Sequence, residues 1–189
     1  MTNFQKKKSE KFIISIYSIL ILDVSGSMTN YYNALIELTN DIIKSQKDSE
    51  ENEGVIIFFA ESAKTILNAK YKDIYNNNQL LTIDNINNSE IYTGETNFIP
   101  AFKEAKKYIN IEKEFIMKRV IFLTDGHDNH FDKNLPNICK EMQRKNFLLH
   151  FISFGTSGLS QLNKLPHDYI TTKNTFEEIK TYIMKQFAS

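Results

Sequence analysis

Two apolar runs in this chain each end abruptly at an aspartate. Ile19-Leu20-Ile21-Leu22 leads into Asp23-Val24-Ser25-Gly26-Ser27-Met28, and Val120-Ile121-Phe122-Leu123 leads into Thr124-Asp125-Gly126. Short, unbroken apolar runs closed by turn residues suit strands buried on both faces, the state of strands in a parallel sheet. Two such strands, side by side and parallel, bring Asp23 and Asp125 to one edge of the sheet. In open α/β sheets, ligands bind at that edge.

Asp23, Ser25 and Ser27 deliver three oxygen side chains, alternately spaced, to the place where the first strand stops. Carboxylate and hydroxyl oxygens are hard ligands, suited to Mg²⁺ or Mn²⁺ rather than to zinc. Gly26 is expected to let the backbone turn sharply between the serines. The same serines also suit the N-cap of a following helix. Between the two strands lies Tyr92-Thr93-Gly94-Glu95-Thr96-Asn97-Phe98, a glycine-containing loop ahead of a helical pattern. It offers Thr93 and Thr96 as further hydroxyls.

Asp-x-Ser-x-Ser, a distant threonine after a glycine, and an aspartate in a Thr-Asp-Gly turn occur here in order. Together they resemble the von Willebrand factor type A domain and its metal-ion-dependent adhesion site. The resemblance runs from about Phe12 to Phe187 and implies a ligand set of Asp23, Ser25, Ser27, Thr96 and Asp125. It favours Thr96 over Thr93, because the family places its threonine after the glycine. It implies a Rossmann-like α/β fold. It also implies that Ser25, Ser27 and Thr96 bind the ion directly, while Asp23 and Asp125 hold metal-bound waters. With neutral hydroxyls as direct ligands the ion stays strongly electrophilic, and an Asp or Glu carboxylate of a protein partner completes its shell. The expected cofactor is Mg²⁺ or Mn²⁺, with Ca²⁺ as the alternative. Thr175–Phe187 corresponds to the final helix, which shifts in some family members.

The rest of the chain alternates strand and helix. Helices are expected at about Thr29–Gln46, Phe98–Ile109, Lys133–Lys145 and, capped by Asn174 or Thr175, through to Phe187. Strands are expected at Val55–Phe59, Arg119–Leu123, Phe147–Phe154 and Tyr169–Thr171. Ser62–Leu67 reads as an antiparallel strand at the sheet edge. Residues from Tyr71 to Ile91 read as short helices or an irregular loop anchored by Leu80 and Leu81. Such alternation implies an open, mostly parallel sheet with helices on both faces.

Met28, Tyr31, Glu95, His127 and Asp128 are expected on a partner-binding rim around the metal, with one of Tyr31 and Tyr32 in the core. His127 and His130 lack a third zinc ligand and a nucleophile, so they read as surface histidines. A chain of this length reads as one domain, taken as residues 12–189 after a flexible basic tail at 1–11. The 23 Lys and Arg balance 23 Asp and Glu; with no basic excess, nucleic acid is not an expected partner. The single cysteine, Cys139, reads as a buried thiol. The polar first residues and the short Phe12–Leu22 run argue against a signal peptide and membrane insertion. The expected location is cytoplasmic, with Lys6-Lys7-Lys8 leaving a nuclear one open.

The function these features imply is a metal-dependent protein-interaction module, not an enzyme. A haloacid-dehalogenase-type phosphatase needs an acidic residue where Ser25 stands, and no Gly-x-x-x-x-Gly-Lys loop is present. The alternatives are a metal-independent scaffold and, behind it, an Mg²⁺-dependent phosphatase-like hydrolase.

Overall fold

The structure, a computed structural model, describes residues 15–188; the basic tail at 1–11 lies outside them. Six strands form one sheet: β1 (Ile16–Asp23), β2 (Glu53–Phe59), β3 (Ala63–Lys70), β4 (Met117–Thr124), β5 (Phe147–Phe154) and β6 (Tyr169–Lys173). Their order is β3-β2-β1-β4-β5-β6. All pairs are parallel except β2 with β3, so the antiparallel strand stands at the edge, as expected. The two apolar runs that end in aspartate are the neighbouring central strands.

Alternation along β1 and β4 splits the core in two. Tyr17, Ile19, Ile21, Val120 and Phe122 face one layer, with Phe98, Phe102, Ile138 and Met142 from α4 (Phe98–Lys106) and α5 (Leu135–Arg144). Leu20, Leu22, Ile121 and Leu123 face the other. That layer takes Leu35, Leu38 and Ile42 from α1 (Tyr32–Ser45), and Ile179 and Ile183 from α7 (Phe176–Phe187). A strand buried on both faces cannot alternate apolar with polar, which is why these runs are continuous.

The first helix starts later than its apolar spacing suggests. Gly26–Tyr31 is a 3₁₀ turn, with the Met28 N–H donating to the Ser25 carbonyl at 2.9 Å, and α-helical geometry begins only at Tyr32. The Asn-rich stretch contains two short helices, α2 (Tyr71–Asn76) and α3 (Ile83–Asn87). It is pinned by the Asn40 amide, which donates to the Leu81 carbonyl at 2.9 Å and accepts from its N–H at 2.8 Å. A one-turn helix, α6 (Leu159–Leu162), follows β5. The cap of α7 is Thr175, in a reciprocal box with Glu178. Cys139 is buried, and burial pushes its thiol up to about 12, which leaves it unreactive.

Candidate metal centre

The parallel register places Leu22 opposite Leu123, so one residue further on Asp23 meets Thr124. The Thr124 hydroxyl donates to Asp23 Oδ2 at 2.5 Å, and the Ser25 N–H donates to Asp23 Oδ1 at 2.8 Å. Asp23 is fully buried. Burial pushes its carboxyl up to about 6, against the pull of bonds from Ser25 and Thr124, and the neighbouring charge that acts on it, Asp125, has the same sign. A buried carboxylate without a cation is costly.

The other expected ligands lie at the same strand-end edge. Ser25 Oγ and Ser27 Oγ are 3.2 Å apart, and Ser27 Oγ donates to Asp125 Oδ1 at 2.8 Å. Thr96 is buried. Its hydroxyl lies 3.0 Å from where a Cβ would stand on Gly126, and its carbonyl accepts from the Asn129 N–H at 3.0 Å. Gly26 is not in the left-handed region. A Cβ there would stand a tight 3.3 Å from the Thr93 carbonyl oxygen, so the glycine eases the approach of the two loops. Thr93 therefore lines this approach with its backbone.

The rim differs from expectation at three positions. Met28 is fully buried in the second core layer, because the 3₁₀ turn directs it inward. It has no surface to offer a partner. Asp128 is only 4% exposed. Its backbone N–H donates to Gln161 Oε1 at 2.6 Å, its carbonyl accepts from Gln161 Nε2 at 2.8 Å, and its Oδ1 accepts from the His130 N–H. It is a pin inside the loop, and burial raises its carboxyl above the usual range. Tyr31 is half-buried, its ring engaged with Phe154 at 4.7 Å and Phe176 at 6.2 Å. Tyr32 is half-buried too, its hydroxyl donating to the Val24 carbonyl at 2.6 Å. Glu95 and His127 are exposed; Glu95 pairs with His130 at 3.1 Å.

The roles of Thr124 and Gln161 were not read from sequence, nor was the bond from Tyr32 to the Val24 carbonyl. Thr124 alone left a signal, as the residue before the turn aspartate, where strand register sets its side chain against Asp23.

The donors at this edge are oxygens from hydroxyls and carboxylates, the chemistry of a hard divalent cation. Among the described residues, no cluster of three or more His, Cys, Asp or Glu side chains is placed to hold a metal, so any ion here depends on the hydroxyls. The like-charged Asp23–Asp125 pair and the burial of Asp23 both favour a cation beside them. The residues present fit such an ion.

The sequence profile of the von Willebrand factor type A domain matches residues 18–127, more than half of the chain. No curated protein sequence matches it. Among solved structures it is similar to proximal thread matrix protein 1 from the mussel byssus with a zinc-occupied MIDAS motif, at TM-score 0.69 and 19% identity over 93% of this chain and 45% of that one. It is similar to a von Willebrand factor type A protein from Catenulispora acidiphila, at TM-score 0.70 and 18% identity over 93% and 42%. It is also similar to the pilus adhesin SpaC from Lactobacillus rhamnosus GG, at TM-score 0.67 and 12% identity over 94% and 30%. The chain thus spans less than half the length of each of these. The profile covers more than half of the chain and the fold agrees with it: the chain belongs to the von Willebrand factor type A domain family.

Proposed function

We propose that this domain binds a protein partner through a divalent cation, Mg²⁺ or Mn²⁺, held by Asp23, Ser25, Ser27, Thr96 and Asp125, and that the partner contributes an Asp or Glu carboxylate. The observation that carries this reading is the bonded chain Asp23–Ser25–Ser27–Asp125 at the ends of two central strands, with Thr96 closing over Gly126. When bound, the ion supplies Lewis acidity toward an anionic oxygen. The chain's own residues do the rest. Thr124 and the Ser25 N–H fix the Asp23 carboxylate, and Tyr32 holds the backbone at Val24. Gln161 clasps the loop after Asp125.

Binding rather than catalysis is the role this arrangement supports. Asp23 stands where a phosphatase-type nucleophile would, yet both its oxygens accept hydrogen bonds and it is fully buried. The zinc-occupied motif of the mussel protein supports a divalent ion, and the adhesin supports an interaction role.

The test is retention of the domain on an immobilised peptide bearing one glutamate, in Mg²⁺, in Mn²⁺ and in EDTA. The proposal expects retention only with metal, lost in Ser27→Ala. Retention that ignores EDTA would favour a metal-independent scaffold.

A further inference from the structure

Asp128 is a buried acid outside the expected ligand set. It is 4% exposed, and of its two carboxylate oxygens only Oδ1 is bonded, by the His130 N–H at 2.9 Å. Oδ2 is sealed from solvent and has no hydrogen-bond partner among the described residues. An unpaired buried acceptor costs about 1–3 kcal/mol, and more when it is charged. A carboxylate kept at such a position calls for a role other than stability.

Three elements meet at this residue. The Phe98 N–H, a first-turn donor of α4 that no helical carbonyl can satisfy, acts on the Asp128 carboxylate and favours its charged form. Thr96 stands two residues before Phe98, and its carbonyl accepts from the Asn129 N–H at 3.0 Å. Asp128 and Asn129 thus grip the threonine loop at two points. From the other side, Gln161 holds the Asp128 backbone at 2.6 and 2.8 Å. A side chain at Gly158 would run into the Gly126 carbonyl oxygen, so the start of α6 packs directly on the Asp125 turn. Thr96 and Asp125 come from separate loops, yet α6, residues 126–129 and the start of α4 form one block. Ser27 joins it through its bond to Asp125 at 2.8 Å. The spacing of Thr96 from the other candidate ligands is therefore set by the block.

Divalent ions differ in what they ask of such a block. Mg²⁺ needs near-ideal octahedral geometry at about 2.0–2.1 Å, whereas Ca²⁺ takes about six to eight oxygens at about 2.3–2.6 Å in flexible arrangements. Ligands that cannot move apart favour the smaller ion. We propose that Asp128 is a positioning residue for ion selectivity, a role that rests on the metal binding proposed above: by locking the Thr96 loop to the Asp125 loop, it makes the site prefer Mg²⁺ over Ca²⁺.

Calorimetric titration of the protein with MgCl₂ and with CaCl₂, each alone, reads the ratio of the two affinities. The wild type binds Mg²⁺ more tightly than Ca²⁺. Asp128→Ala lowers Mg²⁺ affinity about tenfold, as loss of a residue that orients metal ligands does, and leaves Ca²⁺ affinity within about twofold. Asp128→Asn keeps an acceptor for the His130 N–H but brings no charge to α4, and its ratio falls between the two. Gln161→Ala loosens the same block from α6 and moves the ratio the same way, so the test holds even if Asp128→Ala does not fold. In EDTA, amide hydrogen exchange at Phe98 and Asn129 quickens in Asp128→Ala. A wild type without preference for Mg²⁺, variants that lose both ions in equal proportion, or exchange that does not quicken would overturn the selectivity role while leaving the metal site standing. A wild type that binds neither ion overturns both.

Discussion

The Thr124 hydroxyl and the Asp23 carboxylate, 2.5 Å apart, tie the ends of the two central strands together at the candidate metal centre. Because β1 and β4 are in parallel register, this bond is set by the sheet, and it leaves Asp125 one step further on to face Ser27. Thr124→Val keeps the shape and removes the donor from a buried carboxylate. Denaturant unfolding in EDTA should show a loss of about 1–3 kcal/mol, and Mg²⁺ affinity should fall with it. Unchanged stability would mean the bond contributes nothing.

Arg119 offers the opposite case. It is 1% exposed, and its Nε and Nη2 have no hydrogen-bond partner. It donates from Nη1 to the Gln186 carbonyl and lies 4.7 Å over the Phe187 ring, at the end of α7. Burial lowers its pKa. Replacing a poorly compensated buried charge with an apolar side chain is often neutral or stabilising, by about 1–4 kcal/mol. Arg119→Met should therefore unfold at the same or a higher temperature than the wild type. A clear loss would show that the guanidinium is needed to hold α7.

His150 makes stability pH-dependent. Burial, then the charge of Arg119, pull its pKa down from 6.5 to about 4. The unfolded chain therefore binds this proton more readily than the folded one. Stability attributable to the neutral ring is complete above about 6.5 and is lost as pH falls toward 4, by about 3 kcal/mol in total. His150→Gln should flatten that part of the stability–pH curve, and Arg119→Met should shift its lower end upward. A curve unchanged by His150→Gln would exclude this origin.

Gln161 clasps the backbone of Asp128 from both sides, at 2.6 and 2.8 Å. Gln161→Ala frees both groups beside the Asp125 turn. Amide hydrogen exchange at His127–Asn129 should quicken, and Mg²⁺ affinity should drop severalfold while the sheet amides stay protected. Unaltered exchange would mean the loop is held by its other contacts.

The fold was legible because β1 and β4 are buried on both faces, so their apolar runs carry no polar interruption and both end at a carboxylate. The antiparallel edge strand and the Thr175 cap could be read for similar local reasons. The misread positions share a different cause. Met28 sits in a polar stretch and turns inward only because Gly26–Tyr31 winds as a 3₁₀ turn, which the spacing does not announce. Asp128 looks like a surface charge until α6, itself too short to leave a period, brings Gln161 against it. Tyr31 depends on Phe154 and Phe176, which are distant in sequence. Such positions are fixed by tertiary packing.

The edge formed by Asp23, Ser25, Ser27, Thr96 and Asp125 is proposed to bind a divalent cation. Thermal unfolding of the wild type and of Asp125→Ala, each in EDTA and in saturating Mg²⁺ or Mn²⁺, tests it most directly. At about a hundredfold over Kd the ion should add roughly 2.7 kcal/mol, or about 5–10 °C for a domain of this size, in the wild type alone. Identical unfolding with and without metal in the wild type, or an equal shift in Asp125→Ala, would contradict it.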